Sequence, residues 1–131
     1  MPAEPDAKKM MVGAATVFTV RDIAASIAHY RDVLGFDVTF EYGKPTFYAC
    51  LCRDQVNLHL ISSDRTERLP GNGAICIFVT DVDGIYKELA ERKARVVKEP
   101  QTYPYGMRDF DVLDPDGNQL VFGMEAESAT T

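Results

Sequence analysis

The sequence predicts an α+β fold made of two tandem βαβββ modules, with one helix backing each half-sheet and a cleft between the halves. Two internal echoes carry that prediction. Phe18-Thr19-Val20-Arg21-Asp22-Ile23 leads into an amphipathic stretch, and Ile77-Phe78-Val79-Thr80-Asp81-Val82 does the same 59 positions later. Farther along, Leu58-His59-Leu60 is answered by Leu120-Val121-Phe122 at a spacing of 62. Each half therefore reads as strand, helix, then three strands, and the near-constant offset implies a pseudo-twofold. A cleft between two twisted half-sheets is where a small molecule would bind.

The elements follow in order. Residues Ala14 to Val20 form a β-branched run that reads as the first strand. Asp22 is a good N-cap, and Ile23, Ile27, Tyr30 and Leu34 recur at helical spacing until Gly35 stops the helix. Phe36 to Tyr42 alternates apolar and polar side chains, as a half-buried strand does. Thr46 to Cys52 is a nearly continuous apolar strand, and Val56 to Ile61 completes the first half. In the second half Ala74 to Val79 is a strand, and Asp81 caps a helix with Val82, Ile85, Tyr86 and Leu89 inside. Ala94 to Lys98 reads as a short strand and Glu99 to Gly106, with two prolines, as an irregular loop. Met107 to Leu113 and Gln119 to Gly123 pair across the turn Asp114-Pro115-Asp116-Gly117-Asn118. The modules are thus residues 13–61 and 74–124, joined by a linker at 62–73. The tails 1–12 and 125–131 are expected to be mobile.

Composition narrows the function. At 131 residues the chain makes one domain, large enough to bury roughly 65–70% of its unfolded surface. A net charge of -6 and a pI near 4.8 argue against nucleic acid and anionic membrane surfaces as partners. The N-terminus has no long apolar run after its charges, so neither a signal peptide nor a membrane span is expected, and the cytoplasm is the default location. Cys50, Cys52 and Cys76 lie in apolar strands and read as buried, reduced thiols.

Two motifs carry a family resemblance. Val20-Arg21-Asp22, with His29-Tyr30-Arg31-Asp32-Val33-Leu34-Gly35-Phe36 after it, resembles the first βα unit of the vicinal oxygen chelate superfamily. Tyr105-Gly106-Met107-Arg108, then Asp114-Pro115-Asp116-Gly117-Asn118, resembles its final hairpin. That superfamily contains glyoxalases, extradiol dioxygenases and bleomycin resistance proteins, so it holds both enzymes and binders. The resemblance implies that metal-dependent members place ligands at positions matching Ala15, His59, Ala74 and Val121 here. Alanine and valine have no lone pair, and one imidazole cannot make a site that needs three or four ligands. The expectation is therefore no metal and no other cofactor, with a divalent metal as the alternative. Asp109, Asp111 and Glu41 are the donors such a displaced site would draw on, and their ordinary reading is a solvated strand face.

The similarity is greatest to the bleomycin resistance branch, which implies a homodimer whose crevices sequester an aromatic or cationic small molecule, as in antibiotic resistance. The alternative is a glyoxalase- or dioxygenase-like lyase, isomerase or oxygenase with a non-standard site. Phe40, Phe47 and Tyr105 match ligand-stacking aromatics of that branch, with Gly106 beside Tyr105. Strand alternation turns Cys76 and Phe78 into the cleft if Ala74 faces it, and turns His59 inward beside Asn57. There His59 could contact a ligand or move a proton, whereas its ordinary role is a hydrogen-bonded interior residue. Arg108 either holds an anionic group or pairs with a nearby carboxylate. His29, on a helix, is expected to be exposed and silent.

Overall fold

Two four-stranded sheets of identical topology carry the fold. The computed structural model describes residues 9–126; the parts of the expected mobile tails at 1–8 and 127–131 lie outside the described residues. The first half comprises β1 (Thr16–Val20), α1 (Ile23–Asp32), β2 (Asp37–Gly43), β3 (Thr46–Arg53) and β4 (Val56–Ser62). The second comprises β5 (Ala74–Phe78), α2 (Val82–Glu91), β6 (Arg95–Thr102), β7 (Met107–Leu113) and β8 (Gln119–Glu125). The sheet orders are β1-β4-β3-β2 and β5-β8-β7-β6. In each, the first strand pairs parallel with the last and the other ladders are antiparallel. Each helix thus crosses from one sheet edge to the other, and the α+β duplication is as the repeat predicts.

The helix starts are set by side-chain chemistry. Asp22 accepts from the Ala25 amide at 3.0 Å and Asp81 from the Gly84 amide at 2.9 Å, each satisfying a donor that the first turn leaves free. Helix α1 ends at Asp32, earlier than Leu34, because the chain is already leaving the helix. The Phe36 amide reaches back to the Tyr30 carbonyl at 2.9 Å while Gly35 takes φ +78°, a conformation open to a residue without Cβ.

The helix-facing side of both sheets makes one continuous core. Phe18, Val20, Tyr30, Leu58 and Leu60 from the first half join Val82, Leu89, Phe110, Val112 and Leu120 from the second, all at most 1% exposed. Polar groups bridge the halves within it. The Tyr30 hydroxyl donates to Asp114 at 2.8 Å, and Asn118 joins the Thr19 carbonyl to the Gly73 amide. Arg53 donates through two nitrogens to Glu88, both at 2.9 Å, and also to the Leu34 carbonyl.

Three sequence readings need correction. Strand β6 runs to Thr102, through Pro100, where a loop was expected after Lys98. It is an edge strand, and its register shifts on both sides of Lys98 let a residue without an amide hydrogen pass. Strand β8 continues to Glu125 against Met107, so the ordered ladder takes in a residue expected in the tail. His29 is half-buried rather than exposed, with its ring edge-on to Tyr30 at 5.9 Å and a buried, unpartnered Nε2. Among the described residues no helix is long and apolar enough to cross a membrane.

Candidate functional site: two open sheet faces

The halves meet through their helix-facing sides, so the other face of each sheet is left open in a single chain. On the first sheet, ladder register places Val17, His59, Cys50 and Phe40 side by side across β1, β4, β3 and β2. Tyr48 lies opposite Ile61 and Tyr42 opposite Tyr48 on the same face. Phe40 and Tyr42 stack at 6.4 Å with an interplanar angle of 16°, and they remain 54% and 60% exposed. His59 is half-buried on the interior strand, and its Nδ1 lies 2.8 Å from the Tyr48 hydroxyl. Burial is the main cause that pushes the Tyr48 phenol above its ordinary pKa, and Cys50 adds to it.

The second sheet has a different open face. Cys76 is in register with Val121, and Val121 with Asp111; Phe78 follows opposite Gly123, which is opposite Asp109. Phe78 is 77% exposed and Cys76 is exposed too. Lys98, on the edge strand, brings its ammonium to 3.1 Å from Asp109 and 3.9 Å from Asp111, and Gln119 donates to Asp111 at 2.7 Å. The same ammonium sits 4.6 Å from the centre of the Tyr103 ring, on which Tyr105 stacks at 5.2 Å. Asp109 and Asp111 are thus not a solvated face as expected. A basic residue from the neighbouring strand turns inward and engages both.

Of the residues named from sequence, the structure brings Phe40 and His59 to the first open face and Cys76 and Phe78 to the second. Tyr105, 71% exposed, and Gly106 (φ +99°) occupy the β6–β7 loop beyond it. Phe47 lies at the rim of the first sheet, edge-on to Tyr42 and with the Arg65 guanidinium 4.1 Å from its centre. Arg108 is not brought to the site. It alternates with Asp109 onto the helix side, where Asp83 receives its guanidinium at 2.7 and 3.1 Å. Glu41 pairs with Ala49, likewise off the open face, and accepts from Thr46. The thiols are not buried as expected: Cys50 and Cys52 are half-buried and Cys76 exposed, because all three point to an open face.

Sequence reading missed Tyr48, Tyr42, Tyr103 and Lys98. For Tyr48 the signal was present, since period two puts it on one face with Cys50 and Cys52. A groove of 510 Å³ at the junction of the halves, lined by Leu34, Phe36, Ile77, Ile85 and the Arg53–Glu88 pair, is separate from His59, Cys76 and Tyr105.

Two sheets of this topology, each built from one βαβββ half, define a class of small duplicated proteins. Residues 14–122 match the family model of the Glyoxalase/Bleomycin resistance protein/Dioxygenase superfamily, and the chain belongs to that family. A member of the same superfamily from Sphaerobacter thermophilus DSM 20745 is 27% identical, with a TM-score of 0.76 over 88% of this chain and 98% of that one. The bleomycin-binding protein of bleomycin-producing Streptomyces verticillus, solved with copper(II)-bleomycin, is also 27% identical, with a TM-score of 0.73 over 92% and 99%. Lactoylglutathione lyase from Agrobacterium tumefaciens shares the fold at 21% identity and a TM-score of 0.71, over 88% and 95%. Comparison with curated proteins gives no match.

The family includes metal enzymes, so the donor set has to be tested. Ala15 and Ala74 are exposed at the start of the first strand of each half, and Val121 stands on β8. Of the four residues that the resemblance matches to metal ligands, only His59 has a donor atom in its side chain. Among the described residues no three His, Cys, Asp or Glu side chains are grouped to hold a metal ion. The residues present do not fit the family's metal.

Proposed function

We propose that this protein is a metal-free small-molecule binder of the bleomycin-resistance kind, sequestering an aromatic or cationic ligand in a cleft formed by two copies of the chain. One observation supports the reading: each open face carries an exposed aromatic ring, Phe40 on the first and Phe78 on the second with Tyr105 in the loop beyond it, while the positions that the resemblance matches to metal ligands offer a single donor atom. Aromatic faces attract planar and cationic groups, each contact worth about 0.5–2 kcal/mol. The carboxylates of Asp109 and Asp111 add a negative wall on the second sheet. The likeness to a protein solved with bound copper(II)-bleomycin points the same way.

The second copy follows from the uncovered faces. Large apolar side chains left exposed together on a sheet face, as Phe40 and Tyr42 are, mark interaction surfaces. A twofold that lays the first sheet of one copy over the second sheet of its partner covers both faces and makes two equal clefts. Each cleft then has one wall from each chain.

The test is a titration with bleomycin, both metal-free and copper-loaded, followed by tyrosine fluorescence, since the chain has no Trp. A saturable change near one ligand per chain is expected. No saturable signal into the high micromolar range would remove this glycopeptide class as the ligand. The rival reading, a glyoxalase- or dioxygenase-like enzyme with a relocated metal, is favoured only by the closeness of Asp109 and Asp111, whose carboxylates Lys98 and Gln119 already engage. One tightly held transition metal per purified chain would replace the binder with that enzyme. So would turnover of a methylglyoxal-glutathione adduct or a catechol on adding Ni, Zn, Mn or Fe.

A further inference from the structure

We infer that Tyr48 holds His59 in the tautomer whose Nε2 carries the proton, so that the first open face presents an N–H donor to a ligand oxygen. This rests on the reading that the open face is the ligand site, and it names the ligand chemistry there: a carbonyl, carboxylate or similar acceptor. The geometry is local and specific. The Tyr48 hydroxyl is 2.8 Å from Nδ1, with the rings edge-to-face at 5.4 Å and 76°. No other hydrogen-bond partner for either ring is found among the described residues.

One proton sits between the two atoms, and acid–base chemistry decides its side. A phenol is a stronger acid than a neutral imidazole N–H, and the unprotonated imidazole nitrogen is a far stronger base than a phenol oxygen. The O–H of Tyr48 therefore donates and Nδ1 accepts. The remaining ring proton then belongs to Nε2. Burial keeps the phenol protonated, outweighing the opposing attraction of the Arg68 guanidinium. His59 is half-buried and in register with Val17 and Cys50, so its ring lies on the open-face side of β4, where Nε2 is the nitrogen left for a ligand. Tyr48 is thus a positioning residue, and His59 is the group that touches ligand.

The chain has two histidines, so the assignment is accessible by spectroscopy. Protein labelled with 15N-histidine gives long-range proton–nitrogen spectra at alkaline pH, where imidazoles are neutral, and His29→Gln identifies the His59 signals. The expected result is a single Nε2–H tautomer in the unaltered protein and a mixture in Tyr48→Phe. A dominant Nδ1–H form, or a ratio unmoved by Tyr48→Phe, overturns the inference. Metal-free bleomycin supplies the second readout: Tyr48→Phe should weaken its binding by roughly fivefold to tenfold, about the worth of one oriented hydrogen bond. Unchanged affinity alongside mixed tautomers overturns the ligand-facing half. If the unaltered protein ignores bleomycin, the binder reading falls and takes the ligand-facing half with it, while the tautomer stands or falls on the spectra, which need no ligand.

Discussion

The two halves are alike where strands meet helices and unlike where sheets face outward. Leu58 and Leu60 on β4 have Leu120 and Phe122 as counterparts on β8, all at most 5% exposed, and both helices begin on a capping aspartate. The open faces each carry a cysteine and an exposed aromatic ring but differ in their polar groups. The first offers Tyr48, His59, Cys50 and stacked Phe40 and Tyr42; the second offers Lys98 set between Asp109 and Asp111. Tyr103 and Asp109 both raise the Lys98 pKa, so its ammonium stays protonated. Packing density constrains a core position on every side, whereas an open face is limited only by what it binds. In the proposed cleft, with one wall from each sheet, such unlike walls would suit a ligand with a planar end and a charged end.

The shared core can be broken symmetrically. Leu58→Ala and Leu120→Ala each remove a fully buried side chain, and each should cost about 3 kcal/mol in urea unfolding. The two losses should agree within about 1 kcal/mol, as expected of equivalent sites with similar freedom to collapse. A disagreement of several kcal/mol would show that the halves are not energetically equivalent.

The hairpin turns sharpen the comparison next. Asp114 is buried and accepts from the Tyr30 hydroxyl, the Asp116 and Asn118 amides and the Asn118 side chain. Asp54, in the corresponding turn of the first half, is exposed. Asp114→Asn turns charge-assisted bonds into weaker ones with one donor facing another, and should cost about 2 kcal/mol. Asp54→Asn should change stability by less than about 0.5 kcal/mol. Denaturant midpoints of the two variants, at unchanged slope, decide it.

How much of this was legible follows from the same contrast. The repeat of Phe18–Ile23 in Ile77–Val82 was visible because core periodicity survives duplication, and period two placed His59, Cys76 and Phe78 on open faces. Pro100 misled, because its cost depends on whether the strand is an edge, and strand order is not written in local sequence. The Lys98–Asp109–Asp111 cluster was hidden for a related reason, since it depends on the register shifts beside Lys98. Arg108 was read as either an anion holder or the partner of a nearby carboxylate; it pairs with Asp83, on the helix side to which parity beside Asp109 sends it. Asp83, its partner, is 25 residues away in sequence and is brought near by packing alone.

The open faces can be separated by their dependence on a second copy. Phe78, the most exposed aromatic on the second sheet, would pack against the partner in the proposed dimer. Phe78→Asp should therefore raise the dimer dissociation constant about tenfold or more in sedimentation measurements, at nearly unchanged chain stability. Dimers as tight as those of the unaltered protein would move the interface elsewhere. A monomeric unaltered protein would leave each cleft with one wall.

The smallest expected effect compares the helices. Where α2 has Glu88 in an ion pair with Arg53, the corresponding residue of α1 is His29, whose Nε2 is buried without a partner. Burial lowers the His29 pKa from its ordinary 6.5, outweighing the attraction of Asp114. The unfolded chain therefore takes up this proton at a higher pH than the folded one. The contribution to stability is complete above the ordinary histidine range and is lost as pH falls through it toward the depressed folded value. His29→Gln should remove that part of the acid sensitivity, so its stability relative to the unaltered protein rises as pH falls through the range. Glu88 follows the same sign in a lower window: Arg53 holds its carboxyl below the ordinary range, so its contribution persists through the histidine range and fades only at lower pH. Urea midpoints of His29→Gln and Glu88→Gln measured across mildly acidic pH should therefore separate, with the histidine variant alone changing its difference from the parent near the histidine range. Parallel curves for the two variants there would mean that the His29 ring is hydrated in solution.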